Sequence, residues 1–385
     1  MHKQKPPDNG LTKREFLKCG LGGGCALALA GISPKGQQGH AQTARRGFVR
    51  HRRSPWFTAT ADRKIECTLC PKSCTLSAGQ TGICRVRQNR NGNGYTLAYG
   101  NPALVQEDPI ERKPFFHVLP GSRALSVSTV GCNLECKFCE VWDMALAAPE
   151  EVYAYDMPPK TVIKYARAAQ LRSISYAFGE PVVFYEYMAE TAELAKEAGL
   201  LNLLHTAGYI QPRPLKQLSG LLTAANVDLK SFEPAFYRDV CGGELKPVLN
   251  SLAILKEAGV HLEITTILIP TLNDNMQMIA RMCEWIKKEL GTDVPIHFAR
   301  FYPLYKLTNL PQTPVSTLDQ ARKTAHDIGL EYVYIARVTG HDGENTFCPG
   351  CKKKVIERIG FVIDNIDLED GKCRHCNAPI PGKWA

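Results

Sequence analysis

The sequence predicts an α/β protein: a partial, TIM-like (β/α)6 barrel with a small cysteine-rich lobe before it and a zinc-ribbon-like lobe after it. Three observations predict this. From residue 122 onward, short β-rich runs alternate with amphipathic helical stretches, the pattern of a parallel sheet with crossover helices. The tetrapeptide "KEAG" at 196–199 recurs at 256–259, each time closing a helix and leading into a strand, as a repeated βα unit does. Eleven of the fifteen cysteines fall into three tight groups, one before, one within and one after this region.

Taken in order, residues 1–41 read as an address label or a disordered tail. Lys13 and Arg14 precede a weakly apolar, glycine-rich stretch from Gly20 to Ile32. It is too short to cross a bilayer, so no stable membrane span is expected. The segment resembles a twin-arginine export signal with Lys13 in place of the first arginine, and "GHA" at 39–41 offers a cleavage site. Residues 42–63, with Arg45 to Arg53, read as a basic linker, solvated and flexible. The net charge of +9 is confined to this end: the first 53 residues hold 11 Lys/Arg and 2 Asp/Glu, and the other 332 carry 36 of each sign. The folded body therefore needs no basic face, and nucleic acid is not an expected partner.

Residues 64–121 form the cysteine-rich lobe. Cys67, Cys70, Cys74 and Cys84, with a turn at Pro71, fit zinc and a second 4Fe–4S cluster alike. A structural metal is the expectation of the two, since such a lobe has little core of its own.

The barrel occupies 122–340. Its six expected strands are "ALSVSTV" (124–130), "SISYAF" (173–178), "NLLHTAG" (202–208), "AANVDLK" (224–230), "HLEITTILIP" (261–270) and "PIHFARF" (295–301). One intervening helix places Phe184, Tyr187, Met188, Leu194, Ala195 and Ala198 on one stripe and stops at Gly199. No G-x-G-x-x-G comes after the first strand, which argues against a dinucleotide fold. That strand leads instead into "GCNLECKFCE", with Cys132, Cys136 and Cys139 at a C-x3-C-x2-C spacing. A closed zinc site takes four protein donors, so three thiolates imply an open position. Soft thiolates suit zinc, copper(I) or iron–sulfur, and a cuboidal 4Fe–4S cluster on three cysteines leaves one iron free. Barrel active sites sit at the C-terminal ends of the strands. That rim gathers further cofactor-binding candidates: Gly179, Glu180 and Pro181; Thr206 and Gly208; Asp228 and Lys230; His297 and Arg300. Singly these read as a turn, solvated strand ends and a hydrogen-bonded histidine; their crowding on one rim argues for a site.

Residues 341–385 close the chain with Cys348-x2-Cys351 and Cys373-x2-Cys376, flanking the hairpin-like "KVIERIGFVI". This spacing points to structural zinc, with an accessory cluster or redox dithiol as the alternative. Cys19, Cys25, Cys241 and Cys283 stand apart and read as small buried hydrophobes.

The "CNLECKFC" loop, with Phe138 before its last cysteine, resembles that of the radical S-adenosylmethionine (SAM) enzymes. The likeness goes further. "CTLCPKSCTLSAGQTGICRVR", "FGEPVVFYEYMAETAELAKEAG", "NVDLKSF", "CGGELKPVL", "ITTILIPTLND" and "GHDGENTFCPGCKKKVIERIGF" resemble the AmmeMemoRadiSam-system radical SAM proteins, relatives of pyruvate formate-lyase activating enzymes, over residues 64–385. The resemblance implies a 4Fe–4S cluster on Cys132, Cys136 and Cys139, SAM on its fourth iron, and reductive cleavage to a 5'-deoxyadenosyl radical that abstracts hydrogen from a protein or small-molecule substrate. It implies that Glu180 accepts the SAM ammonium and that Asp228 and Lys230 touch its ribose or carboxylate, with His297 and Arg300 in the substrate pocket or in packing. Its implied partners are a low-potential electron donor and, by the family's name, Memo-like and AMMECR-like companions. SAM and such donors are cytosolic supplies, so the chemistry argues for a cytoplasmic protein and conflicts with the export-like start. The chain departs from the family where Gly179 replaces the Asn of Asn-Glu-Pro and Ala207 the Asn of Thr-Asn-Gly. These departures keep open a non-catalytic metal-thiolate or electron-transfer protein, and the signal-like start keeps open an exported redox protein.

Overall fold

The apolar runs pair into one eight-stranded sheet in the computed structural model, which describes residues 43–385. In chain order the strands are β1 (Leu104–Pro109), β2 (Arg123–Ser128), β3 (Ser173–Tyr176), β4 (Leu201–Thr206), β5 (Ala224–Asp228), β6 (His261–Leu268), β7 (Ile296–Arg300) and β8 (Val333–Ala336). Each is bonded to its neighbours in sequence; β2 to β8 run parallel, and β1 is antiparallel to β2 at one edge. Parallel strands covered on both faces read as continuous apolar runs, as in the wholly buried β3. Helices α1 (Pro159–Ala168), α2 (Tyr185–Glu197), α3 (Pro212–Ser219), α4 (Leu245–Glu257), α5 (Met276–Glu289) and α6 (Val315–Ile328) supply the crossovers. On α2 the expected stripe is buried at Tyr187, Met188 and Ala195, and the chain turns out at Gly199 through a left-handed φ of +74°. Leu125, Ile174, Leu204, Val227, Ile264 and Phe298 share the main core, each side chain contributing about 1.5–3 kcal/mol by burial.

Two strands exceed the six expected. β8 is only four residues long, and β1, "LVQEDP", carries two acids and ends in Pro109, which an edge strand tolerates and a central one does not. β1 thus draws part of the N-terminal cysteine-rich segment into the central sheet. The basic stretch is also not a free linker. Arg45–Arg46 pairs with Tyr153–Ala154 and Arg52–Arg53 with Thr96 and Tyr95. Arg50 lies 2.7 Å from Asp156, Arg52 2.7 Å from Glu190, and Arg45 stacks over Phe48. These acids lie far along the chain, so a local charge run looks solvated when it is matched.

Around the first cysteine group, Phe57–Ala59, Ile65–Cys67 and Thr75–Leu76 form a small antiparallel sheet. Near the C-terminus Lys354–Ile359 and Val362–Ile366 form the expected hairpin. Among the described residues, no helix is long and apolar enough to cross a membrane. The signal-like segment, its cleavage site, Cys19 and Cys25 lie outside the described residues.

Candidate active site

The cysteine loop leaves the C-terminal end of β2 and is held from both sides. Glu135 N–H donates to the Cys241 carbonyl and Lys137 N–H to that of Val240, each at 2.9 Å, while Lys306 N–H donates to Lys137 O at 3.0 Å. Asn133 Nδ2 anchors the loop to Tyr209 O at 2.7 Å. Gly131 has a φ of +94°, and a Cβ there would lie 2.4 Å from the Cys84 carbonyl, so only glycine lets the two cysteine segments touch. Cys132, Cys136 and Cys139 are half-buried on this loop. Burial and the nearby Glu180 push the Cys132 thiol well up, and burial pushes Cys139 up to about 11. Cys136 goes the other way: hydrogen bonding from Cys241 and the charge of Lys230 outweigh burial and hold it below the usual thiol range. A desolvated thiol set with one nearby lysine calls for a soft cation to stabilise its ionised form, so the donor set fits a metal–sulfur group.

Neighbouring strands bring the carboxylates to the same edge. Glu180 follows β3 and is buried. Its Oε1 accepts from Thr206 Oγ1 at 2.6 Å and Val182 N–H at 3.1 Å, and its Oε2 from Ala207 N–H at 2.9 Å. Burial raises its pKa while these donors oppose the rise. Thr206 ends β4 and also accepts from Gly208 N–H at 3.0 Å. Gly179 N–H donates to Ser128 Oγ at 2.9 Å; a Cβ there would meet Thr129 O at 2.7 Å and Ser128 Oγ at 2.8 Å. No larger residue fits at 179 without a shift, and Ala207 serves Glu180 through its backbone.

Asp228, the last residue of β5, lies 3.1 Å from both Lys230 Nζ and His205 Nε2. Burial would raise Asp228, but these two partners hold it well below the usual carboxylate range. Burial opposes the charge of Lys230, yet Asp228 and Cys136 keep it well above the ordinary lysine value. Its Nζ also sits 5.7 Å from the Phe138 ring centre. Glu180, Asp228 and Lys230 are thus gathered on the cysteine side.

His297 and Arg300 are engaged elsewhere. His297 is fully buried, its Nε2 2.7 Å from Glu263, whose carboxylate also accepts from Phe116 and His117 N–H. Its ring packs on Phe116 and Tyr334, which corrects its reading as a cofactor ligand to that of a core residue. Arg300 Nε donates to Thr313 O at 2.8 Å and bears on the 301–313 loop. The sequence reading missed His205 and Cys241. The first hides in an apolar strand and the second stands alone in sequence, so neither carries a spacing signal.

Far along the chain, Cys348, Cys351, Cys373 and Cys376 gather their Sγ atoms within 4.8 Å of one another, as a set that could hold a metal. Cys348 lies 3.5 Å from Cys376 and Cys351 3.7 Å from Cys373.

An α/β domain whose cysteine loop and acidic strand ends converge in this way defines a radical SAM protein. The chain belongs to the radical SAM superfamily, whose model matches residues 126–286, and within it to the same family as uncharacterized protein MJ0808 of Methanocaldococcus jannaschii. Those two chains are 39% identical over 331 residues, 86% of this chain and 98% of the other. It is also homologous to the pyruvate formate-lyase-activating enzyme of Clostridium pasteurianum, 26% identical over 175 residues, covering 44% of this chain and 71% of that one. The 7-carboxy-7-deazaguanine synthase of Thermococcus kodakarensis is 28% identical over 156 residues, 36% of this chain and 61% of that one.

Proposed function

We propose that this radical SAM superfamily enzyme holds a 4Fe–4S cluster on Cys132, Cys136 and Cys139 and cleaves SAM there to abstract hydrogen from a C–H bond of a protein partner or small molecule. When bound, the cluster and SAM supply the one-electron reduction and the carbon radical; the protein supplies binding, orientation and exclusion of water. The observation that carries the reading is Glu180: a buried carboxylate fixed by three donors beside Cys132, suited to accept an ammonium. Asp228, anchored by Lys230 and His205, is placed to take ribose hydroxyls or orient the lysine toward a carboxylate. The open sheet is read as a partial barrel around this site, and the C-terminal thiolates as a zinc site. Zn–S bonds of about 2.3 Å set tetrahedral sulfur separations near 3.8 Å, close to the two short Cys–Cys distances. The electrons come from a low-potential donor, and the activating-enzyme relatives favour a protein substrate. Memo-like and AMMECR-like companions and a cytoplasmic location belong to this reading.

The test is anaerobic: reconstitute with iron and sulfide, reduce, add SAM and quantify 5'-deoxyadenosine beside Cys136→Ala and Glu180→Gln. Product that disappears in the first variant and falls in the second is expected. A wild-type protein that forms no SAM-bound cluster overturns the reading and leaves a metal-thiolate binding protein.

A further inference from the structure

The first cysteine group is not used by this chemistry. Cys67, Cys70, Cys74 and Cys84 line one cavity, together with Arg87, Asn133 and the apolar Val182 and Val183. All four are free thiols, three of them buried.

The molecule contains its own ruler for what such a group holds. Among the described residues, the C-terminal four are the cysteines whose sulfurs close to within 4.8 Å of one another, the spacing of ligands sharing a single ion. The first four surround a cavity without closing in that way, and the three on the SAM loop do not close either. In a cuboidal cluster each thiolate sits on its own iron, which sets the sulfurs roughly 6 Å apart and leaves the inorganic core between them. The cavity walls suit an anionic group. Arg87 is buried, its Nη1 2.6 Å from Glu186 and its Nη2 on Ser54, and its Nε has no partner among the described residues. A buried, unfilled guanidinium donor costs free energy unless something anionic accepts from it.

We infer that Cys67, Cys70, Cys74 and Cys84 hold a second 4Fe–4S cluster, one of the two metal groups that their sequence spacing fits. The SAM-loop cluster and the zinc reading of the C-terminal four both rest on the function proposed above; the gathering of those four sulfurs does not. The Cys84 carbonyl abuts Gly131, one residue before Cys132, so the second cluster lies against the loop that carries the first.

The experiment counts metal in the full-length protein after anaerobic iron–sulfide reconstitution. In a C132A/C136A/C139A variant, about four irons and four sulfides per chain are expected to remain, together with one zinc. Adding Cys70→Ser to that variant removes the iron. Loss of iron in the triple variant, with or without a second zinc in its place, overturns the inference. Should that variant fail to fold, the wild-type count decides: about eight irons support a second cluster, and about four irons with two zincs refute it. Wild type that makes no 5'-deoxyadenosine while the triple variant keeps its four irons would sink the proposed activity and leave the second cluster standing.

Discussion

Thr206→Val tests whether the Glu180 carboxylate is held ionised by its neighbours. The substitution keeps the side-chain volume and removes a hydroxyl that donates to Glu180 Oε1 at 2.6 Å and accepts from Gly208 N–H at 3.0 Å. A hydrogen bond to a charged group contributes about 1.5–3 kcal/mol, and an orphaned buried N–H costs about 1 kcal/mol more. The expected loss is therefore about 2.5–4 kcal/mol at neutral pH. Burial already raises Glu180 above its ordinary 4.5, and loss of this donor raises it further. A folded carboxyl with a raised pKa binds protons that the unfolded chain has released, so its contribution to stability declines as pH rises above 4.5. The penalty must then be larger at pH 8 than at pH 5, where part of the variant's Glu180 is neutral. Urea denaturation of wild type and variant at both values measures it, with SAM binding at pH 8 weakened in parallel. A penalty below about 1 kcal/mol, or one equal at the two pH values, would refute the claim that the hydroxyl serves the carboxylate.

Gly179→Ala is expected to cost about 1–3 kcal/mol, because its Cβ would press on Thr129 O and Ser128 Oγ; an unchanged melting temperature would contradict that contact. Cys241→Ala removes the thiol that lowers Cys136, so alkylation of Cys136 in iron-free protein at pH 7.5 should slow by about threefold to tenfold. Equal rates would show that Lys230 acts alone. Burial pushes His117 down to about 3, and its ring nitrogens are engaged by Pro381 O at 2.6 Å and Tyr334 OH at 2.7 Å. Below pH 6.5 the unfolded chain takes a proton that the folded ring refuses, so stability should fall by up to about 1.4 kcal/mol per pH unit. Thermal melts at pH 7.5 and 5.5 should show a smaller drop for His117→Gln than for wild type, and identical drops would remove His117 as the cause. Cys373→Ser is expected to release one zinc per chain, read by metal analysis, while leaving iron unchanged.

How much of the molecule was legible in the sequence depends on the range of the interactions involved. Strand order and the three cysteine groups are local patterns: an apolar run beside a helix period, or thiols two and three residues apart, show themselves within a short window. Glu180 was legible because its place after β3 puts it on the cysteine rim. His297 could be left only between the pocket and packing for the complementary reason: its strand position gives no sign of the Glu263 and Phe116 that enclose it. The folded state of Arg45–Arg53 was invisible because its acidic partners lie over a hundred residues away. Composition and spacing alone pointed to soft-metal thiolate sites on an α/β scaffold. Only the tertiary structure decided that Cys241 faces Cys136, that Thr206 and Ala207 hold Glu180, and that one cysteine quartet closes on a point while another surrounds a cavity. Sequence spacing sets how far apart two ligands can be; the packed backbone sets how far apart they are.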